Sequence, residues 1–449
     1  MADPSTCPPL TRSSITAAHA RIKPHIHRTP VLTSTTLSDI ASTPQRPEAL
    51  VGTPWEGQPP ARPKIRFFFK CENFQRVGAF KVRGAFHALT RLSEEERGRG
   101  VVTHSSGNKL IVNEFHNLKY GLLEEVLLLT QSPLFLLTGN HAQALSLAAL
   151  THHIPAHIVM PTISTPSKIA ATRNYGARIY FSGSTSQERE AVVVDVIKDT
   201  GAVLVPPYDH PDIVLGQGTM GLEMEEQVAE MLEGESVEGG NGDEVDGVDG
   251  YEKRKKKHLD ALIAPLGGGG MLSGLATYFH PTPTHVFGAE PSHQGADDGR
   301  RGLLNNKRIP HVSSLTVADG LRTPVGEIPW SIISNREYVR GVYSVSDELI
   351  LQAMRLVWER VKVVVEPSAC VGVAVALFDE GFRGVVEREG GEEGWGLGVV
   401  LSGGNVGVEA VRGLFSGEGE GEEEGGNGVE RAEGKVGMEG ERVAEDVAG

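Results

Sequence analysis

The sequence has few cysteines, no long apolar run and no apolar leader. Among 449 residues only Cys7, Cys71 and Cys370 are cysteines, and they lie far apart, without the spacing of metal ligands. This pattern indicates reduced thiols rather than a disulfide framework. No apolar run of about 18 residues occurs, so neither a membrane span nor a secretion signal is predicted. We therefore expect a cytoplasmic protein without a membrane partner.

Basic residues are also scarce relative to acidic ones, but the imbalance is local. The chain has a formal net charge of −15. Residues 414–449 contain 11 acidic and 3 basic side chains, and residues 232–258 contain 8 acidic and 5 basic ones. The rest is close to neutral and lacks the basic surplus that nucleic-acid binding requires. No nucleic-acid partner is predicted.

Strand-like apolar runs alternate with helical patterns through most of the chain. Examples of the runs are KIRFFFK (64–70), AHIVMP (156–161), LDALIAPL (259–266) and WGLGVVLSGG (395–404). Strands separated by helices indicate βαβ units and a parallel α/β sheet. In such sheets ligands bind at the carboxyl ends of the strands.

Two stretches break this alternation because they are rich in Gly and Glu. Residues 233–258 and 414–449 have too little apolar surface to offset the entropy of ordering. We predict that the first is a disordered loop and the second a disordered acidic tail.

A leucine-rich segment interrupts a third region. The motif HSSGN (104–108) is followed by this segment and then by Gly139 and Asn140, so a Gly-Asn pair stands on both sides. Removing residues 108–139, which are 32 residues, restores an uninterrupted HSSGNHAQALSLAA. Codons for the flanking residues could supply a splice donor and acceptor in one phase. We predict that residues 108–139 are an unspliced intron; the alternative is a genuine inserted loop.

Lys81 is the candidate nucleophile and base. It lies in the apolar stretch VGAFKVRGAF (77–86). Burial lowers the pKa of a lysine and makes its neutral amine available, which Schiff-base chemistry needs. On this motif alone, an ordinary surface lysine is equally compatible.

Four consecutive glycines form a candidate phosphate cradle. Gly267 to Gly270 lie between the apolar run LIAP and the helical pattern MLSGLATYF. Without Cβ atoms their backbone N–H groups can close around an anion, and the following helix N-terminus adds partial positive charge. The spacing matches neither the P-loop nor the dinucleotide fingerprint. A plain glycine-rich loop remains the alternative.

Two further short motifs carry small polar residues. HSSGN joined to HAQ places hydroxyl groups and a glycine before a helix start, where a carboxylate can bind, although a simple serine N-cap would look the same. LSGGN (401–405) places Ser402 at a strand end, where a hydroxyl can meet a ring nitrogen.

Together, these motifs occur in the order found in serine racemase and the serine/threonine dehydratases, which the chain resembles. The four motifs are Phe80-Lys81, the interrupted HSSGN, Gly267 to Met271, and SGGN from Ser402. The similarity runs from about residue 15 to residue 412 and includes HRTPVLTS (27–34) and VVVEPSACVGVAVAL (363–377). These relatives are fold-type II pyridoxal-phosphate enzymes.

The resemblance implies an α/β fold like that of the tryptophan synthase β subunit. Two open, twisted parallel-sheet domains would hold the cofactor in the cleft between them. Residues 12–99 and 209–413 would form the large cofactor-binding domain, and residues 100–208 the small substrate domain. A homodimer is expected on the same ground.

The resemblance also implies roles for individual residues. Lys81 would hold pyridoxal 5′-phosphate as a Schiff base and act as base on one face of the substrate α-carbon, with Phe80 beside the cofactor. Ser106 would face Lys81 across that carbon. The implied substrate-binding residues are Ser105, Ser106, Gly107 and His141.

Further cofactor contacts follow from the same resemblance. Asn140, or Asn108 in the chain as written, would hydrogen-bond the ring hydroxyl, and Ser402 would meet the pyridine nitrogen. The implied phosphate-binding residues are Gly267, Gly268, Gly269, Gly270 and Met271.

The segment GAEPSHQGADDGRRG (288–302) resembles the divalent-cation site of eukaryotic serine racemases. Glu290, the Ala296 carbonyl and Asp298 match its ligands, and hard oxygen ligands suit Mg²⁺ or Ca²⁺. The stretch between Glu290 and Ala296 is two residues longer than in the common form. A solvated acidic loop is the alternative.

The predicted activity is therefore racemisation of serine, elimination of ammonia from L-serine or L-threonine, or both, starting with removal of the α-proton. Three alternatives stay open: a 3-hydroxyaspartate ammonia-lyase, a catalytically impaired cofactor-binding homologue with residues 108–139 in its substrate loop, and a β-replacement synthase, which the serine-rich and acidic loops disfavour.

Overall fold

The computed structural model describes residues 4–104, 139–164, 166–183, 185–238 and 257–415. The strands, in chain order, are β1 (Val31–Leu32), β2 (Ile65–Cys71), β3 (Val101–His104), β4 (Ala156–Pro161), β5 (Arg178–Ser182), β6 (Val203–Leu204), β7 (Ala261–Pro265), β8 (His285–Pro291), β9 (Gly341–Val345) and β10 (Trp395–Leu401). The α-helices are α1 (Arg12–Ile22), α2 (Thr35–Ser42), α3 (Lys81–Thr90), α4 (Glu94–Arg99), α5 (Asn140–Thr151), α6 (Pro166–Asn174), α7 (Ser186–Thr200), α8 (Pro211–Glu238), α9 (Gly270–Phe279), α10 (Asp298–Asn305), α11 (Glu327–Ile333), α12 (Asp347–Leu356), α13 (Pro367–Phe378), α14 (Glu380–Gly390) and α15 (Val408–Phe415).

The larger sheet has six strands in the order β1-β2-β10-β7-β8-β9. All neighbours are parallel except β1, which pairs antiparallel with β2. Strand β2 contributes to cores on both faces, because side chains alternate along a strand. Phe67 and Phe69 pack in one hydrophobic cluster and Phe68 in the other. This double burial explains why the run reads as continuously apolar.

The smaller sheet has four parallel strands in the order β5-β4-β3-β6. Three of these strands lie between Val101 and Ser182 in the chain, and the fourth is Val203–Leu204. Helices α3 and α5 pack in the cluster on one of its faces, and α7 covers the other. The predicted fold of two parallel-sheet domains is thus confirmed, apart from the short antiparallel β1; the domain boundaries themselves stay a prediction.

Buried charges tie α3 to the larger sheet and to α8. Arg83 donates hydrogen bonds to Glu72 at 2.7 and 2.8 Å and to Glu223 at 2.9 and 2.7 Å. Lys70 reaches Glu223 at 2.8 Å. These four side chains, here called the Arg83 network, are at most 1% exposed. The network pairs two cations with two anions, as burial of charge requires.

The predicted disordered loop begins too early in the sequence. Helix α8 continues through Glu238, six residues into the segment 233–258, and Lys257 forms an ion pair with Glu233 at 3.0 Å. Extending an existing helix costs little, since nucleation is the expensive step. Helix α15 likewise ends at Phe415, inside the predicted 414–449 tail. The rest of both segments lies outside the described residues.

Among the described helices, none is both long and apolar enough to cross a bilayer.

Candidate active site

A cavity of about 510 Å³ opens at the carboxyl ends of strands of both sheets. Its volume lies within the range of small-molecule and cofactor sites. The predicted residues that line it are Phe80, Lys81, Asn140, His141, Gly267, Gly268, Gly269, Gly270, Met271 and Ser402.

Lys81 is the first residue of α3 and follows a tight turn in the chain. Val77 and Gly78 have φ of 56° and 69°, and a Cβ on Gly78 would lie 2.7 Å from the Asn405 Oδ1. This turn therefore needs glycine at position 78. The Phe80 N–H then donates to the Ser402 carbonyl at 3.1 Å, which brings Lys81 and Ser402 to the same wall of the cavity.

The Lys81 amine has a lowered pKa. Burial lowers its pKa to about 8, and the Glu366 carboxylate partly opposes this shift. Its Nζ donates to the Pro207 carbonyl at 2.9 Å and lies 5.0 Å from the centre of the Phe80 ring. A lysine with such a pKa is about half neutral near pH 8 and can act as a nucleophile and base.

The glycine loop joins β7 to α9. Gly269 has φ of 88°, a region that favours glycine. A Cβ on Gly268 would lie 2.2 Å from the Tyr208 ring, so the loop packs closely under that ring. The first turn of α9 leaves N–H groups without intrahelical acceptors and carries partial positive charge. The loop and this helix end therefore suit a phosphate group.

Asn140 connects three separate chain segments at the cavity. Its Nδ2 donates to the Glu366 carboxylate at 3.2 and 3.4 Å. Its Oδ1 accepts from the Asn405 Nδ2 at 2.7 Å, and the same Asn405 amide donates to the Val77 carbonyl. The contacts link the start of α5 to the start of α13 and to the turn before Lys81.

His141 is buried and held neutral. Burial and, after it, the nearby Lys81 charge lower the pKa of its ring to about 3. The ring Nε2 lies 3.1 Å from the Val205 carbonyl and so carries the proton that it donates there. Its Nδ1 is buried and accepts no hydrogen bond from the described residues.

Ser105, Ser106, Gly107 and Asn108 lie outside the described residues, as does most of the segment 108–139. The residues on either side are described. His104 ends β3 and Asn140 begins α5, and both line the cavity.

The acidic segment folds against the end of β8. The Glu290 carboxylate is fully buried and accepts N–H groups of Gly299 and Arg300 at 2.9 and 2.8 Å. Burial, together with Asp298, raises its pKa well above the usual value. Burial raises the pKa of Asp298 to about 6, although its Oδ2 accepts the Val325 N–H at 3.0 Å. Ala296 is also buried.

Comparison with known proteins decides the family. The chain matches the family described as "Pyridoxal-phosphate dependent enzyme" over residues 47–109 and 136–387. The chain belongs to this family. The cavity of this pyridoxal-phosphate dependent enzyme fits the cofactor, since an amine of lowered pKa, a glycine loop at a helix N-terminus and a buried serine hydroxyl all face one space.

Individual relatives cover nearly the whole enzyme. A serine racemase of Oryza sativa subsp. indica is 34% identical, over 88% of this chain and 90% of that protein. An L-threo-3-hydroxyaspartate ammonia-lyase of Saccharomyces cerevisiae is 34% identical, over 92% of this chain and 98% of that protein. The structure of maize serine racemase superposes with a TM-score of 0.66 at 34% identity, covering 89% and 94% of the two chains.

Several residues of the enzyme's cavity were not identified from sequence. Glu366 is the clearest, because it is buried, hydrogen-bonds Asn140 and acts on the charge of Lys81. An acidic residue inside the apolar run VVVEPSACV, directly before a proline, was the available signal. Tyr208 offered no comparable signal, since its role depends on the distant Gly268. The other charged or aromatic residues of this group are His104, Arg189, Glu190, Asp209, Arg308, His311 and Arg322.

Proposed function

We propose that this enzyme removes the α-proton of a small hydroxy amino acid and then either returns a proton from the other face or eliminates the β-hydroxyl group. The observation that carries the proposal is the Lys81 amine, whose pKa is lowered to about 8, in the same cavity as the glycine loop and Ser402. Relatives that match this chain over most of their length include a serine racemase and an L-threo-3-hydroxyaspartate ammonia-lyase.

Binding of pyridoxal 5′-phosphate is assigned to cavity residues by their chemistry. The backbone of Gly267 to Gly270, with Met271 and the N-terminus of α9, would hold the phosphate. Ser402 would meet the ring nitrogen and Asn140 the ring hydroxyl. When bound, the cofactor supplies an electron sink for the pair left at the α-carbon.

The protein's own part is proton transfer. Lys81 takes the α-proton on its face of the substrate, because its amine is substantially neutral near pH 8. Ser106 would return a proton from the opposite face, which gives the mirror-image amino acid. Loss of the β-hydroxyl instead leads to a keto acid and ammonia. Ser105, Ser106, Gly107 and His141 would bind the substrate.

A second candidate substrate is 3-hydroxyaspartate, which has one more carboxylate than serine. Cationic and imidazole side chains that line the cavity favour it, and among them Arg189 is only 5% exposed. We expect Arg189→Gln to lower kcat/KM for L-threo-3-hydroxyaspartate at least tenfold more than for L-serine, since a charge-assisted pair to carboxylate contributes about 1.5–3 kcal/mol. An equal loss for both substrates would remove Arg189 from this role.

A divalent cation, Mg²⁺ or Ca²⁺, is proposed at Glu290, Asp298 and the Ala296 carbonyl. Two neighbouring carboxyl groups whose pKa values are both raised by burial are supporting evidence, since a bound cation would favour their charged forms. A homodimer and a cytoplasmic location are proposed on the basis of family resemblance and composition.

Residues 108–139 are proposed to be foreign to the active enzyme. In support, the first part of the family match ends at residue 109 and the second begins at residue 136. The flanking residues His104 and Asn140 line the same cavity. If the segment is translated and the full chain forms no product, the alternative of an impaired cofactor-binding homologue describes it.

One assay separates the candidate functions. The purified protein is incubated with L-serine, L-threonine or L-threo-3-hydroxyaspartate, and D-serine, the keto acids and ammonia are measured together. D-serine or pyruvate formation supports the main proposal, and oxaloacetate with ammonia as the dominant products supports the second. Cofactor binding without any product, in both the full chain and a variant that lacks residues 108–139, would overturn both.

A further inference from the structure

A second cluster of reactive side chains lies outside the cavity, where the N-terminal segment meets the start of α8. Cys7, His210 and Asp212 each direct a ligand-type atom to a common point, with these atoms within 4.8 Å of one another. His210 and Asp212 are 3% and 1% exposed. No step of the proposed reaction uses these three residues.

We propose that Cys7, His210 and Asp212 form a binding site for a borderline-soft divalent cation of the Zn²⁺ type. The Cys7 Sγ lies 3.4 Å from the Asp212 Oδ2, and the His210 Nδ1 lies 3.9 Å from the same oxygen. In a tetrahedral zinc site the ligand atoms are separated by about 3.3–3.5 Å, given metal–ligand bonds of about 2.0–2.3 Å. The Cys7–Asp212 distance already has that length, whereas the His210 ring must move closer to Asp212 and to Cys7 when the ion binds.

The hydrogen bonding of His210 also suits a metal ligand. The Asp212 N–H donates to the His210 Nδ1 at 3.2 Å, so this nitrogen carries a lone pair. A neutral imidazole nitrogen is a common zinc ligand. Binding would exchange this long hydrogen bond for a metal–nitrogen bond, while the other ring nitrogen keeps its proton.

The two carboxylate oxygens of Asp212 have separate surroundings. Oδ2 faces Cys7, whereas Oδ1 lies 3.5 Å from the Arg91 Nε and accepts no hydrogen bond from the described residues. A cation on Oδ2 leaves the contact with Arg91 in place. Zn²⁺ with one thiolate and one carboxylate is electrically neutral, so Arg91 then faces a site without net positive charge.

Binding requires the Cys7 thiol to release its proton to solvent, because the thiolate is the form of cysteine that ligates a metal.

The site would connect the N-terminal segment to the cavity wall. His210 follows Tyr208 and Asp209, which line the cavity, and the Pro207 carbonyl accepts the hydrogen bond of Lys81. A cation shared by residues 7, 210 and 212 would clamp this segment and raise the melting temperature of the folded protein.

The test uses the full-length holoenzyme after removal of metals with a chelator. Zn²⁺ is titrated by calorimetry, and X-ray absorption at the zinc edge reports the ligands. We expect one ion per chain with one sulfur at about 2.3 Å. In Cys7→Ser the affinity should fall by more than about 100-fold, since loss of an outer-shell partner alone costs 10–100-fold. Cys71→Ala removes another buried thiol and is the matched control.

Two outcomes would overturn the proposal. One is a wild-type protein that binds no Zn²⁺ with a sulfur ligand. The other is a Cys7→Ser variant that folds with the wild-type melting temperature before metal is added and then binds Zn²⁺ as tightly as the wild type. A rise in melting temperature with Zn²⁺ in the wild type and in Cys71→Ala, but not in Cys7→Ser, supports it.

Discussion

At the scale of single residues, the cavity depends on how burial and charge act on Lys81. Desolvation favours its neutral amine, and the Glu366 carboxylate favours its ammonium form. Desolvation dominates, since the pKa falls to about 8 from an ordinary value of 10.5. Glu366 is itself linked to Asn140, so the residues assigned to the cofactor and the base share one electrostatic environment.

Lys81→Ala is expected to abolish turnover and the visible absorbance of the bound cofactor, because the variant has no amine at that position. Both are measured on purified protein supplied with excess pyridoxal 5′-phosphate. Lys64→Ala is the control, since the Lys64 side chain is exposed and donates only to the Glu392 carbonyl among the contacts described. Wild-type-like turnover in Lys81→Ala would remove this residue from the mechanism.

The pH dependence of cofactor uptake follows from the same pKa. The rate at which the cofactor-free protein captures pyridoxal 5′-phosphate should rise with pH and level off above about 8, where the Lys81 amine is neutral. Glu366→Gln removes the charge that favours the ammonium form, so the midpoint should move to lower pH. Glu190→Gln, at another cavity residue, should leave it in place. A midpoint near pH 10.5 for the wild-type uptake rate would contradict the effect of burial on Lys81.

The acidic pair predicts how a cation and pH act together. The pKa of Asp298 is raised to about 6 in the folded protein, above its usual value of 3.8. The stability that this group contributes is therefore present at low pH and lost as pH rises through about 6. Mg²⁺ or Ca²⁺ should raise the melting temperature more at about pH 7.5 than at about pH 5. If neither cation raises the melting temperature at either pH, the proposed cation site at Glu290 and Asp298 is wrong.

At the scale of elements, helix α3 is held by charges as well as by apolar packing. Its N-terminus carries Lys81, and two residues later Arg83 joins β2 and α8 through Glu72 and Glu223. All these side chains are buried. In such surroundings a charge that loses its partner is costly, because neither water nor a counter-charge compensates it.

Arg83→Met is accordingly expected to destabilise the fold by about 3–5 kcal/mol, because it removes the guanidinium group that two buried carboxylates share. Denaturant unfolding measures the change. The matched control is Arg99→Gln, which breaks an exposed pair with Glu95 on α4 and should cost about 0.5 kcal/mol or less. Equal effects of the two substitutions would show that the Arg83 network contributes no more than a surface pair.

At the scale of the whole molecule, the cavity is formed by elements of both sheets. The glycine loop and Ser402 belong to the larger sheet, and His104 and His141 to the smaller domain's strand β3 and helix α5. Any segment inserted between β3 and α5 enters the chain at this junction. A displacement of about 1 Å at a catalytic group can cost about 100-fold in rate.

A variant that lacks residues 108–139 is therefore expected to be more soluble and at least 100-fold more active than the full chain. Ser106 and the start of α5 then become close neighbours in sequence, so loop and helix N–H groups can converge on one carboxylate. Sequencing of the mature transcript tests splicing directly. A transcript that retains the segment, together with equal turnover of L-serine by both proteins, would contradict the intron hypothesis.

The sequence by itself determined the family, the parallel α/β fold and several residues that line the cavity, among them Phe80, Lys81 and Ser402. Each of these signals is local: an apolar run, four glycines between a strand and a helix, or a lysine in an apolar turn. The tertiary structure decided which distant groups meet. Glu366 reaches Asn140 across 226 positions of the chain, and Cys7 reaches Asp212 across 205. Such pairings depend on the packing of elements, which no short pattern encodes.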